Sequence, residues 1–184
     1  MCGINGILDF KTSHLFPNDI HIFPNGIRKM NEILKHRGPD NQDAYIDNNI
    51  SLGHTRLSII DLSNDGNQPM QIDDTIIVFN GEIYNYIELR DELKTKGVQF
   101  HTQSDTEVLL QAYRYWGKDS LVKFNGMFAF AIWNKESKQL FCARDRFGIK
   151  PFYYMNSGSR FIFSSEIKSI LSVIRNIYPN DKVI

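Results

Sequence analysis

Two cysteines in 184 residues are too few for a disulfide scaffold, and no cysteine–histidine spacing resembles a zinc site. Neither charge is in excess. Lys+Arg and Asp+Glu both number 21, which removes the electrostatic signature of a nucleic-acid binder or an anionic-membrane binder. Long apolar runs are missing too: the longest, Met127–Trp133, is far too short to cross a bilayer. The N-terminus lacks the basic segment and apolar run of a signal peptide. There is no Walker A loop, no GxGxxG behind a strand, no HExxH and no GxSxG. Internal repeats and low-complexity segments are likewise absent. The expectation is a protein of the reducing cytoplasm, with no nucleic-acid, membrane or metal partner.

What remains is a globular composition, 42% hydrophobic and 12% aromatic, long enough for one domain with a sizeable core. Cys2–Phe10 alternates like a strand that starts at the terminus. The spacing of Ile27, Met30, Ile33 and Leu34 predicts a helix over Pro24–Lys35, ending before the turn cluster Arg37-Gly38-Pro39-Asp40. Ala44–Asp47 and Ile50–His54 read as a hairpin around Asn48-Asn49, and Thr75–Phe79 as a buried strand. Helices are expected over Tyr86–Lys96 and Thr106–Trp116, each stopped by a glycine, with Ser104 or Asp105 at the N-cap of the second. Strands follow at Met127–Trp133, Gln139–Ala143, Pro151–Tyr154 and Phe161–Ser164. A last helix, Ser165–Val173, precedes a polar tail. Strands broken by a helix pair indicate an α+β domain. Met127–Trp133 has no polar face, which suits a sheet packed on a second sheet with helices outside.

Cys2 lies directly behind the initiator Met1. Removal of Met1, which a small second residue permits, leaves a thiol nucleophile and an α-amine on one residue. With a reference pKa of roughly 7.7–8.0, that amine is a usable base near neutral pH. Asn80-Gly81-Glu82 comes straight after the Thr75–Phe79 run. A glycine N–H and an Asn80 amide could form an oxyanion hole, although Asn-Gly is also an ordinary turn. Arg56 could grip a carboxylate and Asp105 an ammonium group, or they could be a surface ion pair and an N-cap. Together with Cys2, the two charges fit an amino acid whose side chain ends in a carbonyl.

Met1-Cys2-Gly3-Ile4 with Gly6 resembles the N-terminus of class II glutamine amidotransferases, which are N-terminal-nucleophile hydrolases. His36-Arg37-Gly38-Pro39-Asp40, His54-Thr55-Arg56-Leu57-Ser58-Ile59-Ile60-Asp61 and Asn67-Gln68-Pro69-Met70 resemble the asparagine synthetase branch of that family. So do Phe79-Asn80-Gly81-Glu82-Ile83-Tyr84-Asn85, Ser104-Asp105-Thr106-Glu107, Asn125–Ala131 and Arg144–Pro151. The resemblance runs from Met1 to about Leu171. It implies a four-layer αββα sandwich over 1–171, with 172–184 starting a linker towards a synthetase domain. It also implies that Arg56 binds the glutamine α-carboxylate and that Asp105, with Glu82 beside it, binds the α-ammonium. The Leu57–Ile60 backbone, including Ile59, would line the pocket, with Asn80 and the Gly81 N–H as the oxyanion hole. Cys2 is then the nucleophile that hydrolyses L-glutamine to glutamate and ammonia.

No cofactor is expected in this domain. ATP and Mg²⁺ belong to the synthetase domain or subunit that the resemblance implies, and no Ser-Gly-Gly-Leu-Asp type pyrophosphate loop occurs here. The expected ammonia acceptor is aspartate, in asparagine synthesis. A related amidotransferase with another acceptor, such as a sugar, is the alternative. So are a non-catalytic glutamine-binding module and an N-terminal-cysteine acylase acting on another amide. A homodimer is left open. His36, His54 and His101 are read as structural, Cys142 as a small buried hydrophobe, and Arg144, Asp145 and Arg146 as an ion network or a partner-facing cluster. Asn5 departs from the small or apolar residue usual in the family beside the nucleophile strand; it either faces solvent or alters the fine geometry of the pocket.

Overall fold

The computed structural model describes residues 1–10 and 22–174, with side chains 22–24 left out. The polar tail Arg175–Asp181 lies outside the described residues. Nine strands form two antiparallel sheets. The first, in the order β2-β3-β1-β9-β8, contains β1 (Gly3–Asp9), β2 (Asn41–Ile46), β3 (Ile50–Arg56), β8 (Tyr153–Asn156) and β9 (Arg160–Ser164). The second, β4-β5-β6-β7, contains β4 (Met70–Ile72), β5 (Thr75–Ile83), β6 (Gly126–Asn134) and β7 (Gln139–Arg144). Helices α1 (Ile22–Leu34) and α4 (Ile167–Leu171) accompany the first sheet, α2 (Tyr86–Thr95) and α3 (Asp105–Trp116) the second.

Side-chain alternation along the strands separates three cores. On β5, Ile76 and Val78 point between the sheets, while Ile77, Phe79 and Ile83 point to α2 and α3. On β6, Ala129, Ala131 and Trp133 face the first sheet, while Phe128, Phe130 and Ile132 face the helices. On β1, Ile4 and Leu8 meet the second sheet, and Ile7 meets Met30 of α1 and Ile170 of α4. Met127–Trp133 is therefore covered on both faces, and the layers stack as the expected αββα sandwich.

The space between the sheets is closely filled. A Cβ added to Gly6 would come within 2.3 Å of the Phe163 ring, in the inter-sheet core. Gly6→Ala is thus an overpacking substitution and should cost about 1–3 kcal/mol, read as a lower Tm in thermal denaturation. An unchanged Tm would show that the Phe163 ring has room to move.

Three sequence expectations change. β5 does not stop at Phe79; it continues through Asn80, Gly81 and Glu82, which pair with Ala129, Phe128 and Met127 of β6. The Asn-Gly pair is strand, not turn, because β6 supplies a ladder that local propensity does not predict. Asn5 does not face solvent: alternation turns it to α1, where it is fully buried and donates to Asn31 Oδ1 at 2.6 Å. The short strand β4 has no counterpart in the sequence reading.

Candidate active site

Cys2 immediately precedes β1, so the strand that starts beside β3 also aims the thiol. Its Sγ lies 3.4 Å from Leu57 N and 3.6 Å from Leu57 O, at the point where β3 gives way to a loop. The Cys2 carbonyl accepts from Arg37 Nε at 3.0 Å, and Arg37 Nη1 is held in turn by Glu166 at 3.1 Å. Burial pushes the thiol pKa up, outweighing the lowering effect of its hydrogen bond with Leu57. A protonated thiol at neutral pH needs a base close by.

The turn at Arg37–Asp40 is anchored from end to end. Asp40 N–H donates to Arg56 O at 3.0 Å, and Asp40 Oδ2 accepts from Ser58 N at 2.7 Å. Sequence reasoning singled out this motif without finding that Arg37 grips the Cys2 carbonyl.

A cleft opens at Cys2. Arg56, Leu57, Ile59, Ile60, Gly81, Glu82 and Asp105 all line it, so eight of the nine sequence-predicted site residues meet there. Arg56 is buried and is not a surface ion pair. Its Nη1 donates to Ser63 O at 2.7 Å and Asn67 Oδ1 at 2.6 Å, and its Nη2 donates to Asp61 O. Of five guanidinium N–H groups, the one on Nε and a second on Nη2 are left by these bonds for a ligand. Asp105 is not the N-cap of α3; Ser104 is, accepting from Glu107 N at 3.2 Å. The Asp105 carboxylate instead reaches across to accept from Ile83 N at 3.0 Å. Burial pushes its pKa up to about 6, against the lowering effect of that bond and helped by the Glu82 charge.

Strand alternation explains why Gly81 presents a donor. In an antiparallel ladder, main-chain N–H groups point alternately to the two sides. β6 covers one side of β5 along its whole length, whereas β4 covers the other only up to Ile77. Beyond Ile77, the N–H groups of Phe79, Gly81 and Ile83 face an edge. Gln68 Oε1 takes Phe79 N–H at 2.6 Å and Asp105 takes Ile83 N–H. The Gly81 N–H lies between them on the cleft side. No side chain fits at this residue, since an added Cβ would come within 2.3 Å of Met127 O.

Asn80, the ninth residue, does not line the cleft. It is buried, on the β5 face that looks towards the first sheet, and its Nδ2 is without a partner among the described residues. A buried amide donor left unpaired costs about 1–3 kcal/mol.

None of His36, His54, His101 and Cys142 lines the cleft. His54 is fully buried, which pushes its imidazole down to about 3; it stays neutral, with Nε2 3.2 Å from Phe79 O. His36 bridges Ile33 O and Glu166, and Cys142 is pushed up to about 12 by burial. Among the described residues Asp145 is in no ion pair; its carboxylate accepts the main-chain N–H groups of Phe128, Phe147, Ile149 and Lys150.

Residues 1–182 match the family model described as a glutamine amidotransferase domain. The chain belongs to the glutamine amidotransferase family. A putative glutamine-hydrolysing asparagine synthetase 2 from Methanocaldococcus jannaschii is 45% identical over 94% of this chain and 35% of its own length. Glutamine-hydrolysing asparagine synthetase 1 of Bacillus subtilis is 50% identical over 85% of this chain and 25% of its own. This amidotransferase domain thus spans between a quarter and about a third of those relatives. The fold matches a solved structure of the B. subtilis glutamine phosphoribosylpyrophosphate amidotransferase, with a TM-score of 0.72 at 21% identity. The match covers 94% of this chain and 43% of that one. Among the described residues, no helix is long and apolar enough to cross a membrane.

Proposed function

We propose that the domain hydrolyses the side-chain amide of L-glutamine and passes the ammonia to an ATP-dependent synthetase domain or subunit. The observation that carries this reading is the convergence, in one cleft, of a half-buried thiol, a strand-edge main-chain N–H and a carboxylate opposite a guanidinium. Arg56 holds the α-carboxylate through its remaining N–H groups. Asp105 and Glu82 hold the α-ammonium, and the Leu57, Ile59 and Ile60 segment forms the near wall.

With Met1 removed, the Cys2 amine accepts the thiol proton as sulfur attacks the amide carbon. The carbonyl oxygen becomes an oxyanion held by Asn80 Nδ2 and the Gly81 N–H. Collapse breaks the C–N bond, the amine returns its proton, and ammonia leaves. Water then attacks the γ-glutamyl thioester, giving glutamate and restoring the thiol. The names of the relatives support aspartate as the ammonia acceptor. Residues 1–171 are taken as the amidotransferase domain and 172–184 as the start of a linker; Val173 and Ile174 still pack on the domain core.

Glutamate release from glutamine by the Met1-free chain is the direct test, and Asp105→Asn adds a specific signature. A carboxylate titrating near 6 loses its charge below that pH, so KM for glutamine should rise as pH falls through about 6. Asp105→Asn should raise KM about 10- to 100-fold at pH 7.5 and remove that acid dependence. The substitution should not weaken folding. A carboxyl pKa raised in the folded state makes ionisation a cost to stability above pH 6, which asparagine relieves. A KM unchanged by Asp105→Asn would reduce Asp105 to a brace for Ile83.

A further inference from the structure

The motif Asn67-Gln68-Pro69-Met70 has no part in the mechanism above, yet Gln68 joins both walls of the cleft. It is 5% exposed and stands two residues before β4. Its Oε1 accepts from Phe79 N at 2.6 Å, and its Nε2 donates to Thr106 Oγ1 at 3.2 Å. Phe79 directly precedes Asn80-Gly81, and Thr106 directly follows Asp105. β4 has already ended where β5 passes Phe79, so the Gln68 amide takes the place of a neighbouring strand at that position. On the same edge, Phe79 O is met by His54 Nε2 at 3.2 Å. The main chain just ahead of the oxyanion dipeptide is therefore clamped on both its N–H and its C=O.

Resting on the glutaminase reading, we propose that Gln68 is a positioning residue that sets the Gly81 N–H and Asn80 for the transition state. It acts through Phe79, without itself holding the oxyanion. The acceptor half of its amide fixes the oxyanion strand, and the donor half ties that strand to α3. The developing oxyanion needs donors aimed within tenths of an ångström, so a strand edge free to shift costs turnover more than binding.

The test compares Gln68→Met, which keeps the length of the side chain but loses both bonds, with Gln68→Glu. A carboxyl in either protonation state keeps an acceptor oxygen for Phe79 N–H. Glutamine hydrolysis is measured per folded chain, on monodisperse protein whose folded fraction is read from a cooperative thermal unfolding transition, so that misfolded protein is not scored. The expected result is a kcat lowered on the order of 10- to 100-fold in Gln68→Met with KM moved less than about threefold, and a kcat within about threefold of wild type in Gln68→Glu. Wild-type kcat in a folded Gln68→Met overturns the proposal. So does a rise in KM alone, which would make Gln68 a glutamine contact. Should Gln68→Met fail to fold, a tenfold or greater fall in kcat in folded Gln68→Glu overturns it. Absence of turnover in the Met1-free wild type overturns the glutaminase reading itself, and this proposal with it.

Discussion

Replacing Cys2 by alanine is expected to lower glutamine hydrolysis on the order of 10⁴-fold or more while leaving the domain folded. The two halves of that expectation come from different parts of the structure. Turnover is lost because no other described side chain offers a thiol or hydroxyl backed by a free amine. Cys142, the second cysteine, packs half-buried against the inter-sheet core and is pushed up to about 12 by desolvation. Stability is kept because the Cys2 sulfur makes only weak contacts with the Leu57 main chain, while the bonds that seat the residue come from its backbone. Serine at this position should also be severely impaired, since its hydroxyl gives up a proton far less readily than a thiol. Intact mass belongs in the same experiment: a chain that retains Met1 has its α-amine in a peptide bond and should be inactive. Near wild-type turnover by folded Cys2→Ala would rule out the mechanism.

The sheet-on-sheet layering and the candidates Cys2, Arg56, Gly81 and Asp105 were readable from local signals, whereas Glu82 and the Leu57–Ile60 wall came only through the family resemblance. Alternating apolar residues give the strands, glycines at positive φ stop α2 and α3, and charged residues stand at strand and helix ends. What escaped reading depends on contacts between distant segments. Arg37 and Glu166 stand 129 positions apart and come together only when α4 packs on α1. Gln68 resembles any polar residue ahead of a proline until β5 is seen to run past the end of β4. Asn80-Gly81 carries the local signature of a turn, and β6 overrides it. The element whose extent differs from the sequence reading is thus also the one that carries the proposed oxyanion donors. Local preference and final structure part company where function, rather than stability, selects the residue.

That conflict has a measurable consequence at Asn80. Its Nδ2 is buried without a partner among the described residues, so the domain carries an unsatisfied donor that a smaller apolar residue would not. Against this, truncation to alanine leaves a small cavity on the inter-sheet face of β5, and the two effects oppose each other. Asn80→Ala should therefore shift Tm by no more than a few degrees. Its kcat should fall by about 10²–10³, the effect of removing one oxyanion donor, and KM should move little because Arg56, Glu82 and Asp105 still hold the head group. Asn80→Asp separates the donor from the volume: the size is kept, the N–H is lost, and the new charge opposes the oxyanion. Its kcat should fall at least as far as that of Asn80→Ala. A folded Asn80→Ala with wild-type kcat would leave the Gly81 N–H as the oxyanion donor and return Asn80 to a structural residue.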